Sequence, residues 1–284
     1  MFRFVNWGSM FRPMMVRVYA TYHEYREKEP FFKEVFESIT NFDKEYLGQK
    51  EVHLSTGIEG YYDWSDFRKA EPHWISYLRN RETKIQTLHV FNPSQELLTA
   101  ITEQPQIRKL VIRIAKGISD LSVLQKMPHL EYLEIYGVPV DLDFEPLVKC
   151  ESLRVLHIFA RKQLNFESVG KITQLEGLRF GSGADPAFEP KWVKVDNIHF
   201  LRNLKNLKRL EFDVKPLDSD LSPALSLRSL EEGWYRYFKE QTPSVEEMAK
   251  SHPAFQKVYE NYLGIKSGNW KPSREIKFRK GNDA

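Results

Sequence analysis

Between Ile85 and Leu230 the chain repeats one short spacing of apolar positions, with mostly polar residues between them. The copies run Ile85, Leu88, Val90; Ile107, Leu110, Ile112; Leu130, Leu133, Ile135; Leu153, Leu156, Ile158; Leu175, Leu178, Phe180; and Leu207, Leu210, Phe212. Successive first positions are 22, 23, 23, 22 and 32 residues apart, and Leu230, 23 residues further on, opens a degenerate seventh copy. Within each copy the last two apolar positions alternate with period two, so each predicts a short strand with one buried face. A fixed period in the low twenties predicts a solenoid, because a unit this small buries its apolar face only against its neighbours.

After each strand the chain must return, and the return paths carry their own apolar residues. These are Ile118, Leu121, Leu124 and Met127 in the second copy, then Phe144 and Leu147, Phe166, Val169 and Ile172, and Ile198, Leu201 and Leu204. The stretch from Ile118 to Ile135, with Ile118-Ser-Asp-Leu leading into Leu130-x-x-Leu133-x-Ile135, resembles the short leucine-rich repeats of the internalin type. That resemblance covers about half the chain and implies an α/β leucine-rich repeat solenoid. Its parallel sheet would line a concave side, with irregular or helical return segments behind it and a cap at each end. It implies a generic binding role and is otherwise almost silent on function, since one fold hosts many functions. The chain departs from the family in two respects. Ala115, Val138 and Arg161 occupy the region where the family has an asparagine, which predicts irregular turns and some helix. The fifth repeat is also about ten residues too long, with an insertion at residues 181–194.

The flanks read as covers for the open ends of the solenoid, which would otherwise expose core and strand edges. Residues 1–83 are an N-terminal extension and cap, 84–233 the repeats, 234–264 a helical C-terminal cap and 265–284 a basic tail. Val52-His53-Leu54 is a strand candidate able to pair with the first repeat. A helix capped by Ser65 is predicted to run to about Leu78, broken or kinked at Pro72. Ser244-Val-Glu-Glu247 is a capping box. Phe255, Val258, Tyr259, Tyr262 and Leu263 form a full apolar stripe on a last helix that Gly264 should end. Gly181, Gly183, Pro186 and Pro190 mark the insertion as a loop, whose Phe188 and Trp192 either fold back onto the solenoid or face a partner.

Composition narrows the function classes. With 41% hydrophobic and 29% charged residues the chain is globular, and a net charge of +3 over 284 residues does not point to nucleic acid. The single cysteine, Cys150, permits no intramolecular disulfide and suits a reducing compartment. No apolar run reaches the ~20 residues of a membrane span and no signal-peptide core interrupts the charged N-terminus, so a cytoplasmic monomer is expected. Met10, Met14 and Met15 are alternative starts.

Sequence motifs for chemistry are missing: there is no P-loop, no Gly-x-Ser-x-Gly, no His-Glu-x-x-His and no Cys-x-x-Cys. Asp141-Leu-Asp-Phe-Glu145 alternates acids as a calcium loop does, but Pro146 stands where that loop needs glycine and Ser152 where it needs glutamate. The eight histidines show no metal-ligand spacing. No enzyme activity, cofactor or metal is therefore expected.

The informative residues are those between the inward positions, which alternate onto the concave face. One column reads His89, Val111, Glu134, His157, Arg179, Glu211 and Trp234; the next begins Phe91, Arg113, Tyr136 and Phe159. Aromatic and arginine side chains dominate protein interfaces, so Phe91, Arg113, Tyr136, His157, Phe159, Arg179, Trp192 and Trp234 are the candidate partner-binding residues. As members of a solvated face, Glu134, His157 and Arg179 are expected to tolerate alanine within about 1 kcal/mol. The alternative is a nucleic-acid or other acidic partner held by the tail, where Trp270 and Phe278 interleave with Lys271, Arg274 and Lys277.

Overall fold

In the computed structural model of the chain the described residues are 46, 48–54, 64–113, 115–160, 165–182 and 193–267, with the side chains of 53, 64–70 and 91 outside that set. Among them nine strands form one sheet: β1 (Glu51–Leu54), β2 (Thr87–Phe91), β3 (Lys109–Arg113), β4 (Tyr132–Tyr136), β5 (Val155–Phe159), β6 (Gly177–Gly181), β7 (Val193–Val195), β8 (Arg209–Pro216) and β9 (Glu232–Tyr235). All pairings are parallel. Strands β1 to β6 neighbour one another in chain order, β8 follows β6, and β9 and β7 both pair with β8.

The inward residues stack in register, Leu88 on Leu110 on Leu133 on Leu156 on Leu178 on Leu210, and each is fully buried. Behind them the return segments are 3-10 turns at Ser122–Lys126, Glu145–Lys149, Glu167–Lys171, His199–Asn203 and Ser222–Ser226. Each is opened by an Asx turn. The side-chain oxygens of Asp120, Asp143, Asn165, Asn197 and Asp220 each accept the amide two residues on, at 2.7 to 2.9 Å. Asp143, part of the calcium-like run, serves this turn. The first repeat differs: α2 (Gln95–Ile101), capped by the Ser94 hydroxyl, returns as α-helix. Backbone bonding between neighbours is equally regular. The amides of Glu131 and Tyr132 share the Arg108 carbonyl, those of Arg154 and Val155 share that of Glu131, and the pattern continues to Glu232.

Large aromatics fill the C-terminal half of the core. Phe166 lies 5.0 Å from Phe180, Phe180 stacks on Phe212 at 5.6 Å, Phe212 on Tyr235 at 5.5 Å, and Tyr235 meets Phe255 at 5.6 Å. Alanine at Leu133, Leu156 or Leu178 should therefore cost ~2–5 kcal/mol in urea denaturation, because a close-packed core collapses only partly around the cavity.

Four sequence expectations are corrected. Helix α1 (Trp64–Asn80) runs unbroken through Pro72, whose ring is exposed; burial of Trp74, Ile75 and Leu78 offsets the lost hydrogen bond. The insertion is not loop to its end. Val193 and Val195 are buried, Lys194 is exposed, and this alternation forms β7 against Val214–Pro216 of the lengthened β8. Trp234 lies in a strand beside Glu211, as its place in the outward column expects, so the helical cap begins later than residue 234. The C-terminal cap comprises α3 (Val245–Ser251), a 3-10 turn at Pro253–Phe255 and α4 (Gln256–Lys266), which carries Gly264 inside it. Of its stripe Phe255 and Val258 are buried, whereas Leu263 is exposed. The capping box at Ser244 and Glu247 is present as expected. No helix among the described residues is long and apolar enough to cross a membrane.

Candidate functional site

The face of the sheet opposite the return segments carries the candidate residues, and the strand register places them in rows. Glu134, His157, Arg179, Glu211 and Trp234 lie side by side on five neighbouring strands. Tyr136 pairs with Phe159 in the next row, and Phe91 with Arg113 two strands away. The side chain of Phe91, residue Trp192 and the basic tail from residue 268 lie outside the described residues.

This face is not the solvated surface expected of it. Glu134, His157, Phe159, Arg179, Glu211, Asp213 and Trp234 are all buried, whereas Arg113 is exposed and Tyr136, His89 and Arg236 are half-buried. Charges held so far from water must satisfy one another. They do so in two clusters.

In the first, the Tyr132 hydroxyl donates to Glu134 Oε2 at 2.5 Å and lies 3.0 Å from His157 Nδ1, which is 3.2 Å from the same carboxylate oxygen. Arg113 Nη2 stands 3.6 Å from Glu134 Oε1. Burial pushes the Glu134 carboxyl up, but the His157 contact, the Tyr132 hydrogen bond and the Arg113 charge outweigh it and hold the group below the usual carboxylate range. Burial pushes His157 down, against the pull of Glu134. Glu134 is thus held ionised against its burial with His157 Nδ1 beside it, and His157 Nε2 has no hydrogen-bond partner among the described residues. A carboxylate on Nδ1 is the orientation used in general-base dyads. Here His157 is 2% exposed, so no reactant reaches Nε2 and the pair is structural.

In the second, Arg179 Nη2 is 2.9 Å from Glu211 Oε1. Asp213, two residues along β8, accepts a hydrogen bond from the Ser182 hydroxyl, and its Oδ1 lies 3.5 Å from Arg236 Nη1. Burial pushes Glu211 up to about 7, with the Asp213 charge adding and Arg179 opposing. Gly181, at the end of β6, is required by the close approach of this strand to β8. Its φ is +140°, and a Cβ there would come within 2.5 Å of the Asp213 carbonyl.

The two clusters meet in a stack. Arg179 Cζ is 4.7 Å from the Phe159 ring centroid, Phe159 stacks on Tyr136 at 4.3 Å, and Arg113 Cζ sits 3.9 Å above Tyr136. The structure thus brings Arg113, Tyr136, His157, Phe159 and Arg179 together. The expected tolerance of Glu134, His157 and Arg179 to alanine is corrected, because each is a buried member of an ion pair or hydrogen bond, not a solvated side chain.

Linear spacing missed one grouping. His199, from one return segment, and Asp218 and Asp220, from the turn after β8, bring donor atoms within 4.8 Å of one another on the surface. Arg202 Nη2 already lies 4.0 Å from Asp220 Oδ2, so a protein cation attends these carboxylates.

The repeat pitch, the leucine register and the one-sided return turns define a leucine-rich repeat solenoid. Solved structures of that class are similar to the chain. Internalin C2 of Listeria monocytogenes is 22% identical with a TM-score of 0.40, over 56% of this chain and 64% of that one. An internalin of the same organism, inlF, is 18% identical with a TM-score of 0.40, over 66% and 47%. A leucine-rich repeat protein of Leptospira interrogans is 13% identical with a TM-score of 0.36, over 75% and 62%. The chain spans less than two thirds of the length of each. No protein-family model matches the chain, and no curated protein matches it.

Proposed function

We propose that the chain is a non-catalytic protein-interaction module that engages its partner through the outer face of the repeat sheet, centred on Arg113 and Tyr136. The observation that carries this reading is the stack itself. An arginine with 46% of its side chain exposed sits 3.9 Å over a tyrosine ring that stacks on buried Phe159. Such an anchor loses little side-chain freedom on docking, which is what concentrates binding energy in a few aromatic and arginine residues. His157, Phe159, Arg179 and Trp234 support the anchor from below. Phe91 and Trp192 belong to the surface on sequence grounds.

The test is to capture the partner with the full chain, purify it, and measure affinity by calorimetry. Arg113→Gln and Tyr136→Ala should each weaken binding at least tenfold, or ~1.4 kcal/mol, measured on chains that circular dichroism shows to be folded. Charge reversal at Lys271, Arg274 and Lys277 should do much less. Loss of binding in the tail variants with steep salt dependence, and none in the rim variants, would replace this reading with an acidic partner held by the tail.

A further inference from the structure

Beneath the Arg113–Tyr136 rim lies a buried ion pair, Arg179 with Glu211, which a partner docking on that rim need not touch. Glu211 is 2% exposed and has one ionic partner, Arg179, on one of its oxygens. Its other oxygen, Oε2, is buried with no hydrogen-bond partner among the described residues. A carboxylate held for its charge alone normally has both oxygens bonded. Arg179 at 2.9 Å favours the anion, whereas burial and the unpartnered Oε2 favour the neutral acid, so the two forms oppose each other closely at this site.

The groups around Glu211 set this balance. On its own strand stand Asp213, a second buried carboxylate on the same face, and Arg209, whose guanidinium lies 3.7 Å from both Glu231 and Glu232. From β6 comes Arg179, and just past the end of that strand Ser182, whose hydroxyl donates to Asp213. On the β9 side Trp234 is its register neighbour and Arg236 is paired with Asp213. Beyond Arg179 lie Phe159 and His157 of β5. Arg179 is thus the one guanidinium paired with Glu211, while the nearest like charge, Asp213, is two residues away.

We propose that the Arg179–Glu211 pair is a proton-operated latch on the outer face: a proton taken up by Glu211 breaks the pair and leaves Arg179 as an uncompensated cation beneath the Arg113–Tyr136 anchor. Above neutrality the face is internally neutralised around Glu211; below it the face gains one positive charge. Burial supports this direction, since it pushes the carboxyl up to about 7, into the range where modest acidification acts. A carboxyl raised in the folded state binds its proton more tightly there than in the unfolded chain, so its contribution is present below the unfolded value near 4.5 and is lost as pH rises to about 7. His157, lowered by burial, contributes in the opposite sense, so the latch must be read on Glu211 itself.

The consequence for binding rests on the proposed function, but the latch is tested on the free chain, so the two fail separately. Carboxyl carbons and arginine Nε–H groups of the full chain are followed by NMR from pH 4 to 8.5, with Glu211 and Arg179 assigned by Glu211→Gln and Arg179→Lys. The expected result is a Glu211 midpoint of about 7, against 4.5 for an ordinary glutamate, with the Arg179 resonance moving at the same midpoint. Asp213→Asn, which removes the like charge, should lower that midpoint and serves as the second reading if Glu211→Gln does not fold. A Glu211 midpoint near 4.5, an Arg179 resonance that stays still while Glu211 titrates, or no shift in Asp213→Asn overturns the proposal.

Discussion

A chain truncated after Thr242 should no longer unfold in one cooperative transition, and should aggregate on heating. The truncation removes α3, the Pro253–Phe255 turn and α4, and with them Val245, Met248, Ala254, Phe255 and Val258, all buried against the last repeat. The three largest, Met248, Phe255 and Val258, represent ~1.5–3 kcal/mol each, together comparable with the whole stability margin of a domain. The loss also strips the aromatic core of its end, since Phe255 closes the series through Tyr235. A chain ending at Ser267 keeps every one of these contacts, so the difference between the two truncations in calorimetry is the cap's own contribution. Equal melting temperatures and equal transition widths would show that the last repeat needs no cover.

Arg179→Ala should be the most damaging single change on the outer face, costing ~3–5 kcal/mol at pH 8 by urea denaturation. The side chain holds Glu211 at 2.9 Å, and its removal leaves a buried carboxylate with no ionic partner. The contact with Phe159 goes with it. The cost should shrink at pH 5.5, because a Glu211 carboxyl held at about 7 then carries a proton and needs no cation. Replacing both partners, Arg179→Met with Glu211→Leu, should recover most of the loss, since an apolar pair carries no desolvation penalty. A penalty under ~1 kcal/mol at pH 8 would mean that the pair is solvated and that the face is open.

The strands were legible because their signal is local. Period-two alternation at a fixed pitch needs no knowledge of neighbours, and the register from Leu88 to Leu210 follows from it. The Asx turns were half legible: Asp120, Asp143, Asn165, Asn197 and Asp220 recur with the repeat, but their role depends on a hydrogen bond rather than on residue type. The outer face was legible in membership and not in state. Which residues alternate outward follows from the pleat; whether Arg179 meets water depends on Glu211, 32 residues later and one strand away. The same holds for His199, whose acidic neighbours come from the following turn. Pro72 misled because its local cost is real but smaller than what Trp74, Ile75 and Leu78 gain by tertiary contact.

The seventh copy of the repeat carries Gly233 where the six before it carry an inward leucine. A Cβ at that position would stand 2.3 Å from the Phe255 ring, so the missing side chain is the socket into which the cap inserts. This makes the solenoid extensible from within and closed from one end. A duplicated repeat spliced between internal copies brings its own leucine and finds a leucine on either side. One appended after Tyr235 meets a socket shaped for a ring, with no leucine row to continue. The width of surface offered to a partner can therefore grow through internal duplication, while at the last strand the Phe255 ring takes the place of the leucine row beside Gly233.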